Sequence, residues 1–164
     1  MTIAKPAPGA GAPPHPLVAR LFATHGFAEV TAANFAAFIE RAGHLVLLFT
    51  EDPARFKETL DLAVIVPEIE RAFPGRFADG VLLPEAARAL QPRFGFRRWP
   101  ALVVLQDGEY VGAVDGLRSW DDYLAEVARL LEAPPAAGVA VASTGTAPGI
   151  RNPSSDATCT GVTP

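Results

Sequence analysis

Cysteine is nearly absent from this chain, which has 164 residues and a single cysteine, Cys159. Thiol–disulfide exchange needs an attacking thiolate and a second sulfur that resolves the mixed disulfide. One cysteine cannot supply both, and it cannot form a disulfide within the chain. The sequence therefore argues against redox catalysis by this protein acting alone.

Long apolar stretches are also lacking, because no uninterrupted run approaches the roughly 18 residues needed to cross a bilayer. The N-terminus carries Lys5 but continues with proline, glycine and alanine in place of the apolar segment of an export signal. We therefore expect a cytoplasmic protein that is not integral to a membrane.

The chain has no excess of positive charge, since 14 basic and 18 acidic side chains give a formal net charge of -4. Nucleic-acid binding depends largely on cationic side chains that neutralise phosphates, so no nucleic-acid partner is expected and a basic partner is favoured. The histidines His15, His25 and His44 lack the spacing of metal ligands. We predict neither a structural metal nor a cofactor.

Proline, glycine and small residues dominate both ends of the sequence. Residues 1–14 and 133–164 contain few side chains that can pack in a core, so both segments are predicted to be disordered. Residues 15–132 then form one domain. Because Cys159 lies in the C-terminal segment, we interpret it as incidental to function.

Between these ends, segments of strand character alternate with segments of helical periodicity, as in α/β proteins. Strands are predicted at 27–30, 44–49, 77–83, 101–105 and 110–114. Helices are predicted near 17–22, after Thr31, from Asp52 through Phe73, at 84–91 and after Ser119. The continuous apolar character of 44–49 indicates a central strand that is covered on both faces.

Local signals mark the ends of several elements. Thr31 and Asp52 are typical N-caps, and Pro53 suits the first turn of a helix. Pro67 lies within the periodicity of the same helix and predicts a kink. Asp107-Gly108 supplies the residues of a tight hairpin turn, so the last two strands are predicted to be antiparallel.

The segment from Phe94 to Leu105 resembles thioredoxin, in which a hydrophobic residue precedes a cis-proline and a β-hairpin with a closing helix follows. This resemblance implies a thioredoxin-like α/β fold with a central mixed sheet flanked by helices. It also implies that the Trp99–Pro100 bond is cis, although a cis bond before proline is disfavoured by about 0.5–1 kcal/mol.

Thioredoxin-like proteins carry a Cys-x-x-Cys motif at a fixed distance before the kink proline, and counting back from Pro67 gives Thr59 and Leu62. Neither side chain can form a thiolate. The strand at 44–49 also lacks the acid that assists proton transfer in thioredoxin. The resemblance therefore implies a thioredoxin-like scaffold without redox chemistry.

Further motifs occur in order through most of the domain: Asp52-Pro53-x-Arg55, Pro67-Glu68, Phe73-Pro74, Arg93-Phe94-Gly95, Arg98-Trp99-Pro100-Ala101, Gly108-x-Tyr110-x-Gly112 and Gly116-x-x-x-Trp120. Together they resemble the [NiFe] hydrogenase accessory proteins of the HyaE, HupG and HoxO family. This resemblance implies a cytoplasmic, non-enzymatic assembly chaperone for a membrane-bound [NiFe] uptake hydrogenase. The implied client is the small iron–sulfur subunit, whose precursor carries a twin-arginine export signal, and other accessory proteins are possible partners.

The groove beside Pro100 is the candidate site for an extended segment of this client. Thioredoxin-type folds leave backbone groups exposed near the cis-proline, and such groups can hold a peptide by strand addition. Trp99 would add apolar contact. The alternative is that Trp99 only packs beneath a loop and Pro100 only preserves the turn.

Four acidic residues, Glu51, Asp52, Glu58 and Asp61, are predicted to surround the vacated cysteine positions. Carboxylates bind guanidinium groups bidentately, so this cluster suits a signal with paired arginines. The alternative is structural, because Asp52 can cap a helix and the helix dipole favours acids in a first turn. Arg97-Arg98 is interpreted as a solvated surface pair.

Two other functions stay open from the sequence. One is a redox-inactive structural subunit of a hydrogenase maturation complex. The other is a thiol enzyme that uses Cys159 together with a cysteine of its partner.

Overall fold

The fold is defined by a computed structural model that describes residues 12–137. The predictions made for residues 1–11 and 138–164, Cys159 among them, lie outside the described residues. Within 12–137, no helix is both long and apolar enough to span a membrane.

Within this range five strands form one mixed sheet in the order β1-β3-β2-β4-β5. The strands are β1 (Ala28–Glu29), β2 (His44–Phe49), β3 (Ala78–Leu82), β4 (Ala101–Gln106) and β5 (Glu109–Asp115). The helices are α1 (Pro16–Ala23), α2 (Phe35–Ile39), α3 (Glu58–Ala72), α4 (Pro84–Leu90) and α5 (Trp120–Glu132), with a 3₁₀ turn at Gln91–Arg93. β2 pairs parallel with β3 and antiparallel with β4. The predicted thioredoxin-like α/β fold, without a Cys-x-x-Cys motif, is confirmed.

The central position of β2 explains its continuous apolar sequence. Successive side chains of a strand point to opposite faces of the sheet. Leu45, Leu47 and Phe49 pack with residues of α2 and α4, whereas Val46 and Leu48 pack with residues of α1, α3 and α5. Because helices cover both faces, β2 has no solvent-facing side on which polar residues would alternate.

The helix predicted to start at Asp52 begins later, at Glu58. Asp52 opens a separate turn in which its carbonyl accepts hydrogen bonds from the amides of Arg55 (3.0 Å) and Phe56 (2.8 Å), and its carboxylate from Ala54 (2.9 Å). Asp-Pro can start either structure, because N-caps and local turns use the same side-chain-to-backbone bond. The prediction that Asp52 caps the long helix is therefore wrong.

Other end signals have mixed outcomes. The prediction that Thr31 caps α2 is wrong, since α2 begins after Asn34. The Thr31 amide donates to Oδ1 of Asn34 at 2.8 Å, and the Thr31 hydroxyl oxygen accepts from the Asn34 amide at 3.2 Å, in the turn before the helix. Pro67 lies inside α3, as predicted. Ser119 caps α5, and Asp107-Gly108 joins β4 to β5 with a positive φ at both residues, as predicted.

Candidate functional site

Three parts of the chain meet where β2 ends: the loop before β4, the residues leading into α3, and the residues after β5. The Trp99–Pro100 bond in the first of these is cis, as predicted. Pro100 is buried, and its carbonyl accepts a hydrogen bond from the Gly116 amide at 2.9 Å. This bond extends the β4–β5 pairing by one step and anchors the end of the loop.

The Asp115 carboxylate fixes the backbone just before the cis-proline. Its Oδ2 accepts hydrogen bonds from the amides of Arg97 at 3.0 Å and Arg98 at 3.2 Å. Its Oδ1 lies 3.6 Å from the guanidinium of Arg118. The side chains of Arg97 and Arg98 therefore extend from a backbone that is already held in place.

The Trp99 side chain packs against the core, but its backbone amide and carbonyl have no backbone partner among residues 12–137. Its partly buried ring packs edge-on against Phe96, with 5.0 Å between centroids, and Phe96 contacts Phe49 of β2 at 5.2 Å. Among residues 12–137, neither the amide nor the carbonyl of Trp99 forms a backbone hydrogen bond. Core packing thus accounts for the ring, but it leaves these two backbone groups without a partner in the described chain.

An open pocket of about 470 Å³ lies beside this loop. Its lining combines apolar side chains, two guanidinium groups and one carboxylate: Phe56, Glu58, Arg97, Arg98, Trp99, Gly116 and Leu117. Gly116 has a φ of +71°, and a Cβ at this position would lie only 3.2 Å from Cδ of Arg98. The absence of a side chain here lets the Arg98 stem lie across the backbone.

The two positions predicted to have lost cysteines are buried. Thr59 is 1% exposed, and its hydroxyl accepts a hydrogen bond from the Glu51 amide at 3.4 Å. Leu62 is fully buried in the core between the sheet and α1, α3 and α5. The pair therefore contributes packing and one long hydrogen bond.

Glu51 stands apart from the other acids of the predicted cluster. It is 4% exposed, and both carboxylate oxygens accept hydrogen bonds from the Arg88 guanidinium of α4. Burial alone would raise the pKa of Glu51, but the bonds from Arg88 and from the Asp52 amide outweigh burial and lower it. This carboxylate is already paired within the chain, so it is not presented to a partner with the others.

The other three predicted acids remain accessible. Glu58 and Asp61 are exposed in the first turn of α3, and Glu58 lines the pocket. Asp52 is partly exposed, although its carboxylate already accepts the Ala54 amide. Of the residues predicted to bind peptide, the structure brings Trp99 and Glu58 together in the pocket, whereas Pro100, Glu51, Asp52 and Asp61 do not line it.

Sequence reasoning missed several residues of this site. Phe56 and Leu117 come from a turn and a loop with no periodicity to mark them, and Arg97 and Arg98 were interpreted only as a solvated pair. A Gly-Leu-Arg sequence directly after a predicted strand was the only available signal for Leu117. The pairing of Glu51 with Arg88 joins positions 37 residues apart and depends on the fold.

A second carboxyl group that is partly removed from solvent, that of Asp79, lies near the start of β3 and was not predicted. Burial, together with the nearby Glu70 carboxylate, raises the pKa of Asp79 to about 7. Its Oδ1 and the Nε2 of His44 are buried without hydrogen-bond partners among the described residues. Within 12–137, no group of three or more His, Cys, Asp or Glu side chains is placed to hold a metal ion.

Comparison with known proteins adds to this geometry. Residues 17–123 match the family model described as hydrogenase-1 expression protein HyaE. The chain is 39% identical over 134 residues to a hydrogenase expression/formation protein HoxO of Cupriavidus necator, covering 78% of this chain and 83% of that protein. It is 37% identical over 124 residues to a hydrogenase expression/formation protein HupG of Bradyrhizobium diazoefficiens, covering 73% and 84%.

A solved structure is also similar to this chain. It is the crystal structure of a chain from Rhodopseudomonas palustris described as a hydrogenase expression/formation protein, HupG. The two chains share 37% sequence identity with a TM-score of 0.46, and the match covers 63% of this chain and 94% of the other.

Proposed function

Because the chain belongs to the HyaE family of hydrogenase expression proteins, we propose that it is a cytoplasmic, non-enzymatic assembly chaperone. Its family places it in hydrogenase maturation. The proposed client is the precursor of the small iron–sulfur subunit of a [NiFe] uptake hydrogenase, held through its twin-arginine signal peptide before export. The observation that carries this proposal is that the amide and carbonyl of Trp99, beside the pocket, form no backbone hydrogen bond among residues 12–137.

The chemistry of the vacated positions supports binding over catalysis. A thioredoxin-type groove with two cysteines holds an extended peptide and then attacks its disulfide. Here Thr59 and Leu62 are buried and carry no sulfur. Without these sulfurs the site can still bind a peptide, but it cannot attack a disulfide.

The backbone at Trp99 supports the manner of binding. An extended peptide can add to exposed main-chain groups in register, and neighbouring pockets then select its side chains. The amide and carbonyl of Trp99 have no backbone partner within residues 12–137, and Asp115 holds the preceding amides. Because this loop is already held in place, the protein loses little conformational entropy when a segment binds to it.

The accessible acids support the choice of a twin-arginine signal. Glu58 and Asp61 are exposed at the N-terminus of α3, and Asp52 precedes that helix. Each carboxylate is a bidentate acceptor for guanidinium. Glu51 is left out of this proposal because Arg88 already occupies both of its oxygens.

The direct test is co-purification of the full chain with the small-subunit precursor, with and without its signal peptide. We expect retention of the complete precursor and at least tenfold less retention of the form without the signal. Trp99→Ala should reduce retention of the complete precursor. Trp120→Ala is the control, because it removes the other tryptophan, which is exposed and does not line the pocket.

The remaining functions give different results in the same assay. Equal retention of both precursor forms, or of neither, would contradict binding through the signal. Cys159→Ser should leave retention of the precursor unchanged. Loss of retention in this variant would indicate a thiol enzyme. Stable association with other accessory proteins after the hydrogenase has matured would indicate a structural subunit.

A further inference from the structure

The pocket beside Trp99 is basic, although an acidic surface was predicted around it. Arg97 and Arg98 both line it, and neither forms a salt bridge with any carboxylate of residues 12–137. Glu58 is the only acidic side chain in the lining. Two guanidinium groups against one carboxylate leave the pocket with an excess positive charge.

These two arginines differ from the other arginines that the fold places near carboxylates. Arg88 is committed to Glu51, and Arg118 lies near Asp115. The Asp115 carboxylate also binds the backbone amides of Arg97 and Arg98 and does not pair with their side chains. The structure therefore fixes the backbone of both residues and leaves their guanidinium groups available.

Apolar surface surrounds the same guanidinium groups. Phe56, Trp99 and Leu117 line the pocket, and Leu117 is 47% exposed. An occupant that buries these side chains would also exclude water from Arg97 and Arg98. Charge-assisted hydrogen bonds gain strength when water is excluded from them.

We propose that this pocket binds an extended polypeptide segment in which a carboxylate side chain lies next to a large apolar side chain. The carboxylate contacts Arg97 and Arg98, and the apolar side chain contacts Phe56 and Leu117. Glu58, at the α3 side of the pocket, repels the carboxylate and so directs it toward the two arginines. This inference rests on the proposed function only in that the groove holds polypeptide. It gives Glu58 to the pocket and leaves Asp61 and Asp52, which do not line the pocket, as the acids for the arginines of a signal peptide.

The test uses fluorescence of Trp99 in the full chain. The protein has two tryptophans, Trp99 and Trp120, so Trp120→Phe leaves Trp99 as the only indole. Three synthetic peptides share one extended sequence with a leucine beside a variable position that is Glu, Gln or Arg. We expect the Glu peptide to bind about three- to tenfold more tightly than the Gln peptide, and the Arg peptide to bind most weakly.

Variants of the pocket separate this preference from general peptide binding. Arg97→Gln with Arg98→Gln should abolish the difference between the Glu and Gln peptides while weak binding of both continues. Glu58→Gln should enlarge that difference. Arg71→Gln is the control, because Arg71 is exposed near the far end of α3 and pairs only with Glu68, and it should leave the difference unchanged.

Several results would overturn the proposal. Equal affinity for the Glu and Gln peptides, or preference for the Arg peptide, would show that the arginines do not select a carboxylate. No response to any peptide would contradict binding of such a segment beside Trp99. Co-purification with the precursor separates this inference from the proposed function. Retention of the precursor without a preference for the Glu peptide overturns this inference alone. A preference for the Glu peptide without retention of the precursor overturns the proposed client alone.

Discussion

A buried carboxylate and a partly buried one lie at opposite ends of the parallel β2–β3 pair, and their surroundings shift their pKa values in opposite directions. Glu51 follows β2 at the groove end, and its carboxylate accepts hydrogen bonds from the Arg88 guanidinium and from the Asp52 amide, which lower its pKa. Asp79 begins β3 at the other end, where burial and Glu70 raise its pKa to about 7. An ion pair with Arg88 therefore stabilises the charged form of Glu51 next to the groove. Away from the groove, Oδ1 of Asp79 has no hydrogen-bond partner among residues 12–137.

This difference shows which charges near the groove are available to a partner. A carboxylate with a bidentate arginine contributes to the fold, whereas Glu58 and the guanidinium groups of Arg97 and Arg98 have no such partner among residues 12–137. The acidic cluster predicted from sequence is thus divided between a structural acid and accessible ones. Substitutions at Glu51, Asp79 and the residues that shift their pKa values test the comparison of these two acids.

Removal of the partner of Glu51 should have the largest effect on stability. Arg88→Ala leaves a 4% exposed carboxylate without its guanidinium, and we expect the melting temperature at pH 7 to fall by about 5–10 °C. Because the pKa of Glu51 is lowered in the folded protein, its stabilising contribution is present above the unfolded pKa and is lost as pH falls through the folded pKa. The deficit should therefore shrink below about pH 4.

The control for this prediction is Arg71→Ala, which removes an exposed pair with Glu68. Thermal unfolding followed by circular dichroism should show a much smaller change for this variant. A similar loss in both variants would mean that Glu51 and Arg88 contribute no more than a surface pair.

Neutralisation of Asp79 should have an intermediate and opposite effect. Its folded pKa of about 7 lies above its unfolded value, so its protonated form stabilises the fold below about pH 4 and this contribution is lost as pH rises through 7. We expect Asp79→Asn to increase the free energy of unfolding by about 1–2 kcal/mol above pH 8, after allowance for partial exposure of the side chain.

Urea denaturation at pH 5 and pH 8 checks this prediction. The variant and the natural chain should differ little at pH 5 and clearly at pH 8. Glu70→Gln should produce a smaller gain in the same direction, because the Glu70 charge helps to raise the pKa of Asp79. A destabilised Asp79→Asn protein at pH 8 would show that the carboxylate has a partner in the folded protein.

The smallest effect is expected at Thr59, which connects the groove-end acid to α3. Thr59→Val keeps the shape of the side chain but removes the hydroxyl that accepts the Glu51 amide at 3.4 Å, so we expect a loss of about 0.5–1 kcal/mol in urea denaturation. Thr59→Ser should retain most of that stability. Equal stability of the Val and Ser variants would show that the long hydrogen bond contributes nothing.

Much of the scaffold could be predicted because its signals are local. The apolar run of β2 and the Asp107-Gly108 turn each indicate their own structure within a few residues, and the cis Trp99–Pro100 bond was implied by the resemblance to thioredoxin. The start of α3 could not be predicted in this way, because the Asp52-Pro53 sequence can begin a turn as well as a helix. Local chemistry therefore identified the elements better than it identified their ends.

The candidate site was harder to predict, because its properties depend on residues that are distant in sequence. Burial of Glu51 depends on Arg88, and the basic character of the pocket depends on Arg97 and Arg98 meeting Phe56 and Leu117. No periodicity or motif links these positions. The groove itself was predictable from the cis-proline, but the charges that line it were not.

Site-specific photo-crosslinking tests the central claim, that the groove holds the client, most directly. A photoreactive phenylalanine is placed at Leu117, which lines the pocket, or at Val64, which is 55% exposed on α3 outside it. The full chain is then irradiated with the small-subunit precursor. We predict a crosslink from Leu117 to the signal peptide and none from Val64, and a crosslink only from Val64, or from neither position, would contradict the account.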